Sequence, residues 1–301
     1  MLIFRSIKHM RSQLQRHRER GQRVSLVPTM GNLHGGHISL IEQAKAQSDI
    51  VVCSIFVNSL QFVLTEEWDK YPRTFETDCQ KLRAIGCDYL FAPDDSEMYP
   101  NGLATQSRVV CPSFTDILCG RSRPGHFEGV TTVVSKLFNI IQPDESVFGL
   151  KDFQQISVIR RMVEDMCLPI KIVGGPICRE SDGLAMSSRN VFIRSYERPK
   201  VTVLKESLFE VGHCLAEGDK DFRGLERHAS KRIKQLGFEV DYISVRNSLT
   251  LEEAAINDRD LIVLGAMFTK SARLIDNFII RLDNSRRDDS EEKKQGVYRC
   301  C

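Results

Sequence analysis

No apolar run in this chain approaches the ~18 residues that a membrane-spanning helix requires, and Met1 to Ile7 is too short and too polar for the apolar core of a signal peptide. The expectation is a cytoplasmic protein with no membrane partner. An excess of one charge is missing too: Lys+Arg 42 stands against Asp+Glu 40, a formal net charge of +2. A dedicated nucleic-acid binder concentrates basic residues on one face, so nucleic acid is not an expected partner. The cysteines number 10, but they contain no C-x-x-C pair. Cys53, Cys79, Cys87, Cys111, Cys119, Cys167, Cys178 and Cys214 are scattered, which argues against a zinc site and against a disulfide framework. Several lie in apolar runs, as Cys53 does between Val51 and Val57, where a reduced thiol packs as a small hydrophobe. Cys300-Cys301 ends the chain without forming a C-a-a-X box. The segment from Arg5 to Arg23 is Arg-rich with only Glu19 acidic, as a mitochondrial presequence would be, but Ile7, Met10 and Leu14 fit an ordinary amphipathic helix docked on a domain.

What is present is a globular composition, 42% hydrophobic and 27% charged over 301 residues, long enough for two domains. The stretch from Val24 to Ile41 reads as a buried strand ended by Pro28, a glycine turn, and a helix resuming with Ile38, Leu40, Ile41 and Ala44. His34 and His37 therefore stand at a helix N-terminus, where unpaired backbone N–H groups and the helix dipole favour an anion. Phosphate is the expected guest. The pattern is neither a Walker loop nor a GxGxxG; His34-Gly35-Gly36-His37 matches the His-x-Gly-His signature of nucleotidyl transfer, whose imidazoles can donate to phosphoryl oxygens. The plain alternative is a pair of surface histidines capping a helix.

Asp49 to Val57 suits a central parallel strand whose carboxyl end delivers Asn58, Gln61 and Phe62 to the edge where α/β sheets bind ligands. Phase and punctuation predict a helix from Phe75 to Ile85, a short strand over 88–92, and loop with an edge strand from Tyr99 to Phe114. Arg121, Arg123 and His126 precede a second helix, marked by Val130, Val133, Val134, Leu137, Phe138 and Ile141 and stopped by Pro143, and form a second candidate anion site. Ser146 to Leu150 reads as a strand from whose end Lys151 would reach phosphate, with Leu150 on the opposite face and Asp152 capping the next helix. Ile170 to Val173 closes the sheet before the break at Gly174-Gly175-Pro176, and the polar loop Ser181 to Asn190 carries Ser187, Ser188 and Arg189. The fold class expected is α/β, a Rossmann-like doubly wound parallel sheet over 1–178, followed by a smaller α+β domain over 179–284 and a charged tail over 285–301.

In this order the motifs resemble the pantothenate synthetases over nearly the whole chain to about Leu282. The likeness rests on Pro28-Thr29-Met30-Gly31 with His34 to His37, Ser54 to Phe62, Tyr71 to Thr74, Arg123 to Phe127, Phe148 to Gln155, Asp182 to Asn190 and Arg273 to Asn277. It implies an ATP-dependent ligase joining pantoate to β-alanine through a pantoyl-adenylate, with a C-terminal lid domain, a homodimer, Mg²⁺ carried with ATP, no metal held by protein residues and no tightly bound prosthetic group. Carried over by position, Met30, Gly31, Asn32, Leu33, His34, Gly35, Gly36, His37, Gly149, Leu150, Lys151, Asp152, Cys178, Met186, Ser187, Ser188 and Arg189 would line the ATP site, with His37 as proton donor. Gln61 and Gln155 would hold pantoate beside Asn58 and Arg123, and Gln61 would also meet β-alanine. His34, His37, Lys151, Ser187, Ser188 and Arg189 would then supply the catalytic charge stabilisation. Ser59, Cys119 and Leu150 depart from the family's usual proline, glutamate and glutamate, which leaves a nucleotide- or pantoate-binding pseudoenzyme, or a related His-x-Gly-His nucleotidyltransferase, as alternatives.

Overall fold

The computed structural model describes residues 1–62 and 68–282; the tail expected at 285–301 lies outside them. The chain divides into two compact units, Met1–Val191 and the remainder from Phe192. In the first, strands β1 (Leu2–Phe4), β2 (Val24–Thr29), β3 (Ile50–Ile55), β4 (Tyr89–Phe91), β5 (Glu145–Gly149) and β6 (Lys171–Gly175) pair in the order β1-β4-β3-β2-β5-β6. Every pairing is parallel. The crossovers are made by helices α1 (Ile7–Arg18), α2 (Gly35–Lys45), α3 (Phe75–Ala84), α4 (His126–Ile141) and α5 (Phe153–Asp165).

Strand side chains alternate between faces, and both faces are covered, which is why the strands read as unbroken apolar runs. Val24, Leu26, Ile50, Val52, Phe91 and Phe148 join a core with Met10 and Leu14 of α1, Val134 and Leu137 of α4, and Ile156 and Ile159 of α5. Their neighbours Val27, Val51, Cys53, Leu90 and Val147 join a second core with Leu40, Ile41 and Ala44 of α2 and Cys79 and Leu82 of α3. Cys53, Cys79, Cys87 and Cys111 are buried free thiols.

Pro28 does not end β2; the strand runs through it to Thr29, paired with β3 along its length. Pairing with β5 covers only Ser25 and Leu26. The missing N–H of Pro28 thus falls on the side where β2 and β5 have already parted, so it breaks no ladder. From β2 the chain winds outward to β3 and β4, and later returns to the other side for β5 and β6. Strand order reverses at the β2/β5 boundary, and a crevice opens there outside the carboxyl ends.

One further expectation needs correction. Among the described residues the segment from Tyr99 to Phe114 contains no edge strand; it is irregular chain between short helical turns at Asp95–Met98 and Pro112–Thr115. The sheet's outer edge is instead β1, three residues too short to carry a periodic signal, paired with β4. The first compact unit runs to Val191, past the composition break at Gly174-Gly175-Pro176. A small hairpin, bridged between Arg179 and Ala185 with Met186 N–H donating to the Cys178 carbonyl at 2.9 Å, folds the polar loop back onto the first unit.

The second unit is a smaller α+β domain: an antiparallel sheet β7 (Glu239–Asn247), β8 (Asp260–Phe268) and β9 (Arg273–Arg281), with helices α6 (Val203–Ala216) and α7 (Phe222–Gln235) on it. Leu204, Leu208, Ala229 and Ile233 of the helices and Val245, Val263 and Leu264 of the strands are among its buried residues, with α6 lying on β8 and β9 and α7 on β7.

Candidate active site

The crevice at the strand-order reversal is lined by His34, Gly36, His37, Gly149, Lys151, Asp152, Gln155, Cys178 and Met186, on a floor that includes Pro28, Leu40 and Phe148. Residues expected at one site from four separate stretches of sequence thus meet there.

The start of α2 is capped by imidazoles. His34, at the N-cap, accepts the Gly36 N–H on Nδ1 at 3.2 Å, and His37 accepts the His34 N–H on Nδ1 at 3.2 Å, a capping box of two histidines. Because each Nδ1 accepts, the neutral ring carries its proton on Nε2, leaving an N–H donor for a ligand. The rings lie 4.1 Å apart, tilted by 40°. Burial lowers the His34 pKa to about 4, with the Lys151 charge adding to it. Burial first, then His34 and Lys151, lower His37 to about 3. Both rings are neutral near pH 7. The stacking needs Gly36, whose Cβ would sit 3.0 Å from the His34 ring.

Asp78 holds the preceding turn and was not legible as a site residue. Its buried carboxylate accepts the Asn32 and Leu33 N–H groups at 2.8 Å each and the Thr74 hydroxyl at 3.1 Å. Lys81 donates to the Leu33 carbonyl at 2.5 Å. This clamp seats Gly31, at φ +79°, and Asn32, at φ 49°, in the left-handed region. The only sequence hint is that Thr74 and Asp78 share a helix face.

The polar loop is tied to that turn. Asn32 Nδ2 donates to the Ser188 carbonyl at 3.3 Å and Ser188 Oγ donates to the Asn32 carbonyl at 3.1 Å. Arg189 N–H donates to Ser187 Oγ at 3.2 Å, and Met186 Sδ would touch a Cβ on Gly35 at 3.1 Å.

Lys151 does not project from an extended strand. Leu150–Asp152 is a 3-10 turn after β5, so strand alternation does not set its direction. Leu150 nonetheless faces away from the crevice, packing where a Cβ on Gly174 would lie 2.8 Å from its Cδ2. Asp152 occupies the N-cap position of α5 but makes no side-chain capping bond; it lines the crevice instead.

Gln61, on a 3-10 turn after β3, is joined to the loop before α2 by its Nε2 donating to Met30 Sδ at 3.0 Å. Asn58, 1% exposed, is occupied on every side: Nδ2 donates to Gln61 Oε1 at 3.2 Å and to the Gly129 carbonyl at 3.1 Å, and Oδ1 accepts from Tyr99 Oη at 2.6 Å. Through the first of these bonds it orients Gln61. His126 is also buried, its ring bonded to the Gln61 carbonyl and to Arg123, so the ring itself is committed to internal contacts.

A Rossmann-type sheet carrying a His-x-Gly-His helix start at its strand-order reversal defines the class of nucleotide-using transferases and ligases. Over residues 2–279 the chain matches the family described as pantoate-beta-alanine ligase, and it belongs to that family. It is 57% identical to the pantothenate synthetase of Saccharophagus degradans, over 94% of this chain and 100% of that one. It is likewise 57% identical to that of Cellvibrio japonicus, with the same shares covered. The pantothenate synthetase structure from Thermus thermophilus superposes with a TM-score of 0.86 at 39% identity, covering 92% of this chain and 99% of that one. The pantoate-beta-alanine ligase of Francisella tularensis, solved with beta-gamma ATP and beta-alanine, gives 0.75 at 34% identity, covering 93% and 97%.

Proposed function

We propose that this chain condenses pantoate with β-alanine to give pantothenate, splitting ATP to AMP and pyrophosphate through a pantoyl-adenylate. The observation that carries the reading is the pair of neutral imidazoles, each with its proton on Nε2, sharing a crevice with Lys151 at the β2/β5 boundary.

In the first step a pantoate carboxylate oxygen bonds to the α-phosphorus of ATP while the bond to the bridging oxygen of pyrophosphate breaks. Charge grows on the phosphoryl oxygens and on the departing pyrophosphate. His34 and His37 meet it with preset N–H donors that need no reorganisation, and Lys151 meets it with a full charge. With a pKa of about 3, His37 donates a hydrogen bond in the protein by itself; its release of a proton would follow only after phosphate charge raises that value. Ser187, Ser188 and Arg189 are assigned to the leaving pyrophosphate, Gln61 and Gln155 to pantoate. In the second step the β-alanine amine bonds to the acyl carbon, the acyl–oxygen bond breaks, AMP leaves with the oxygen that began in pantoate, and the nitrogen loses a proton. Exclusion of water protects the mixed anhydride between the steps.

Among the described residues no group of three His, Cys, Asp or Glu side chains could hold a metal ion. The donors fit Mg²⁺ brought in on the triphosphate: Asp152, a carboxylate lining the crevice, would help hold the ion, and the ion would offset phosphate charge. The same reading expects a homodimer and a cytoplasmic enzyme; among the described residues no helix is long and apolar enough to cross a membrane.

A pseudoenzyme is not favoured, because the chain keeps His34, His37 and Lys151 together in the crevice. Ser59, Cys119 and Leu150 do not line the crevice. The test is exchange of labelled pyrophosphate into ATP with pantoate and Mg²⁺ but no β-alanine. Exchange is expected; ATP binding without exchange would reduce the chain to a binding protein, and exchange driven by a nucleotide in place of pantoate would make it a different nucleotidyltransferase.

A further inference from the structure

His126 opens α4 at the far side of Gln61 from the loop before α2, and the proposed chemistry gives it no part. It is buried, yet both ring nitrogens have defined partners. Nδ1 lies 2.7 Å from the Gln61 backbone carbonyl, which can only accept. Nε2 lies 3.1 Å from Nη1 of Arg123, which can only donate. A proton on Nε2 would face a guanidinium N–H, donor against donor, and a doubly protonated ring would set two positive charges together. The contacts therefore dictate a neutral ring with its proton on Nδ1, the opposite tautomer to that of His34 and His37.

We infer that His126 is a positioning residue for the acid substrate: through this one tautomer it locks the backbone of Gln61 and the guanidinium of Arg123 to each other. Among the described residues the backbone bonds of the turn carrying Gln61 are long, the Gln61 and Phe62 N–H groups reaching their acceptors at 3.4 and 3.3 Å. The first turn of α4 is pressed against it so closely that a Cβ on Gly129 would lie 2.3 Å from the Leu60 carbonyl oxygen. Gln61 is thereby fixed by its backbone through His126 and by its amide through Asn58 and Met30. An amide held from both ends presents one orientation to a ligand, which lowers the cost of ordering on binding. Arg123 is drawn to the same place, so a cation is held at a set distance from the amide. The inference rests on the reading of Gln61 as the pantoate-holding residue.

Two substitutions divide the bridge. In His126→Asn the side-chain amide falls near Nδ1 and keeps a donor for Gln61. In His126→Gln it falls near Nε2, keeping an acceptor for Arg123 and leaving the buried Gln61 carbonyl unmet. In pantoate-dependent pyrophosphate exchange, His126→Gln should raise the KM for pantoate about tenfold, the scale of one lost buried hydrogen bond. His126→Asn should stay within about threefold, and both should leave the KM for ATP and the maximal rate within about threefold. A purely structural role would instead lower the rate in both variants alike, and that outcome, or an unchanged pantoate KM in His126→Gln, overturns the inference. Should either variant fail to fold, ring-¹⁵N correlation spectra of the wild-type protein decide: a backbone-assigned His126 resonance with the proton on Nδ1 supports the bridge, and one with the proton on Nε2 refutes it. If the wild-type protein shows no pantoate-dependent exchange, the proposed function fails, while the tautomer still decides the bridge.

Discussion

Acidification should weaken the first unit in a way that His37 makes measurable. In the folded chain the His37 pKa is held at about 3, against an ordinary value of 6.5. The unfolded chain therefore takes up a proton below pH 6.5 that the native chain refuses until far lower pH. The sign follows: a depressed histidine leaves stability intact above 6.5 and removes it progressively as pH falls toward 3. Between pH 7.5 and 5.5 the linkage relation gives a loss of roughly 1 to 1.4 kcal/mol for this one group, the lower figure allowing for its partial contact with solvent. His37→Asn removes the titration and keeps an oxygen able to accept the His34 N–H. Urea unfolding followed by the fluorescence of Trp68 reads the first unit, since this is the chain's one tryptophan and its indole N–H donates to the Val57 carbonyl at 3.2 Å. The wild-type protein should lose that amount more than the variant over the interval. Parallel pH dependences would show that His37 titrates normally and that the neutral-donor account of the site is wrong.

Two further results are expected. Lys151→Ala should lower kcat/KM on the order of a hundredfold, about 2.7 kcal/mol, by removing charge from the phosphoryl oxygens, whereas Leu150→Glu should change it less than about tenfold because Leu150 packs beside Gly174 away from the crevice; steady-state kinetics on the two variants checks both. Gly129→Ala should cost roughly 1 to 3 kcal/mol in thermal or urea stability and weaken pantoate binding, because its methyl would overlap the Leu60 backbone, and an unaltered KM would contradict the close approach of α4 to Gln61.

What could be read in the sequence was whatever local pattern controls. The apolar runs of β2, β3 and β5 and the three-and-four spacing of α4 report burial directly, and the change of period across His34 to His37 marks a helix start without any tertiary information. Lys151 shares the crevice with His34, but a 3-10 turn rather than an alternating strand carries it there. Asp78, Tyr99 and the bonding of His126 stayed hidden because their meaning lies in partners 20 or more positions away: Asp78 serves Asn32, Tyr99 serves Asn58, and His126 serves Gln61. The end of the first compact unit at Val191 carries no local signal for the same reason. Gly174-Gly175-Pro176 is the visible break in composition, but the chain after it doubles back so that Ser188 can bond Asn32.

The adenylate is the central claim, and the fate of one oxygen tests it most directly. With pantoate labelled by ¹⁸O in its carboxylate, attack on the α-phosphorus followed by cleavage of the acyl–oxygen bond must leave one labelled oxygen in each AMP formed, read by mass spectrometry after a complete turnover with β-alanine. Label in AMP and none in pyrophosphate is the predicted result. Label in inorganic phosphate, with ADP as the nucleotide product, would mean that the γ-phosphorus is attacked, and unlabelled AMP would mean that pantoate never bonds to phosphorus at all; either would contradict the mechanism assigned to His34, His37 and Lys151.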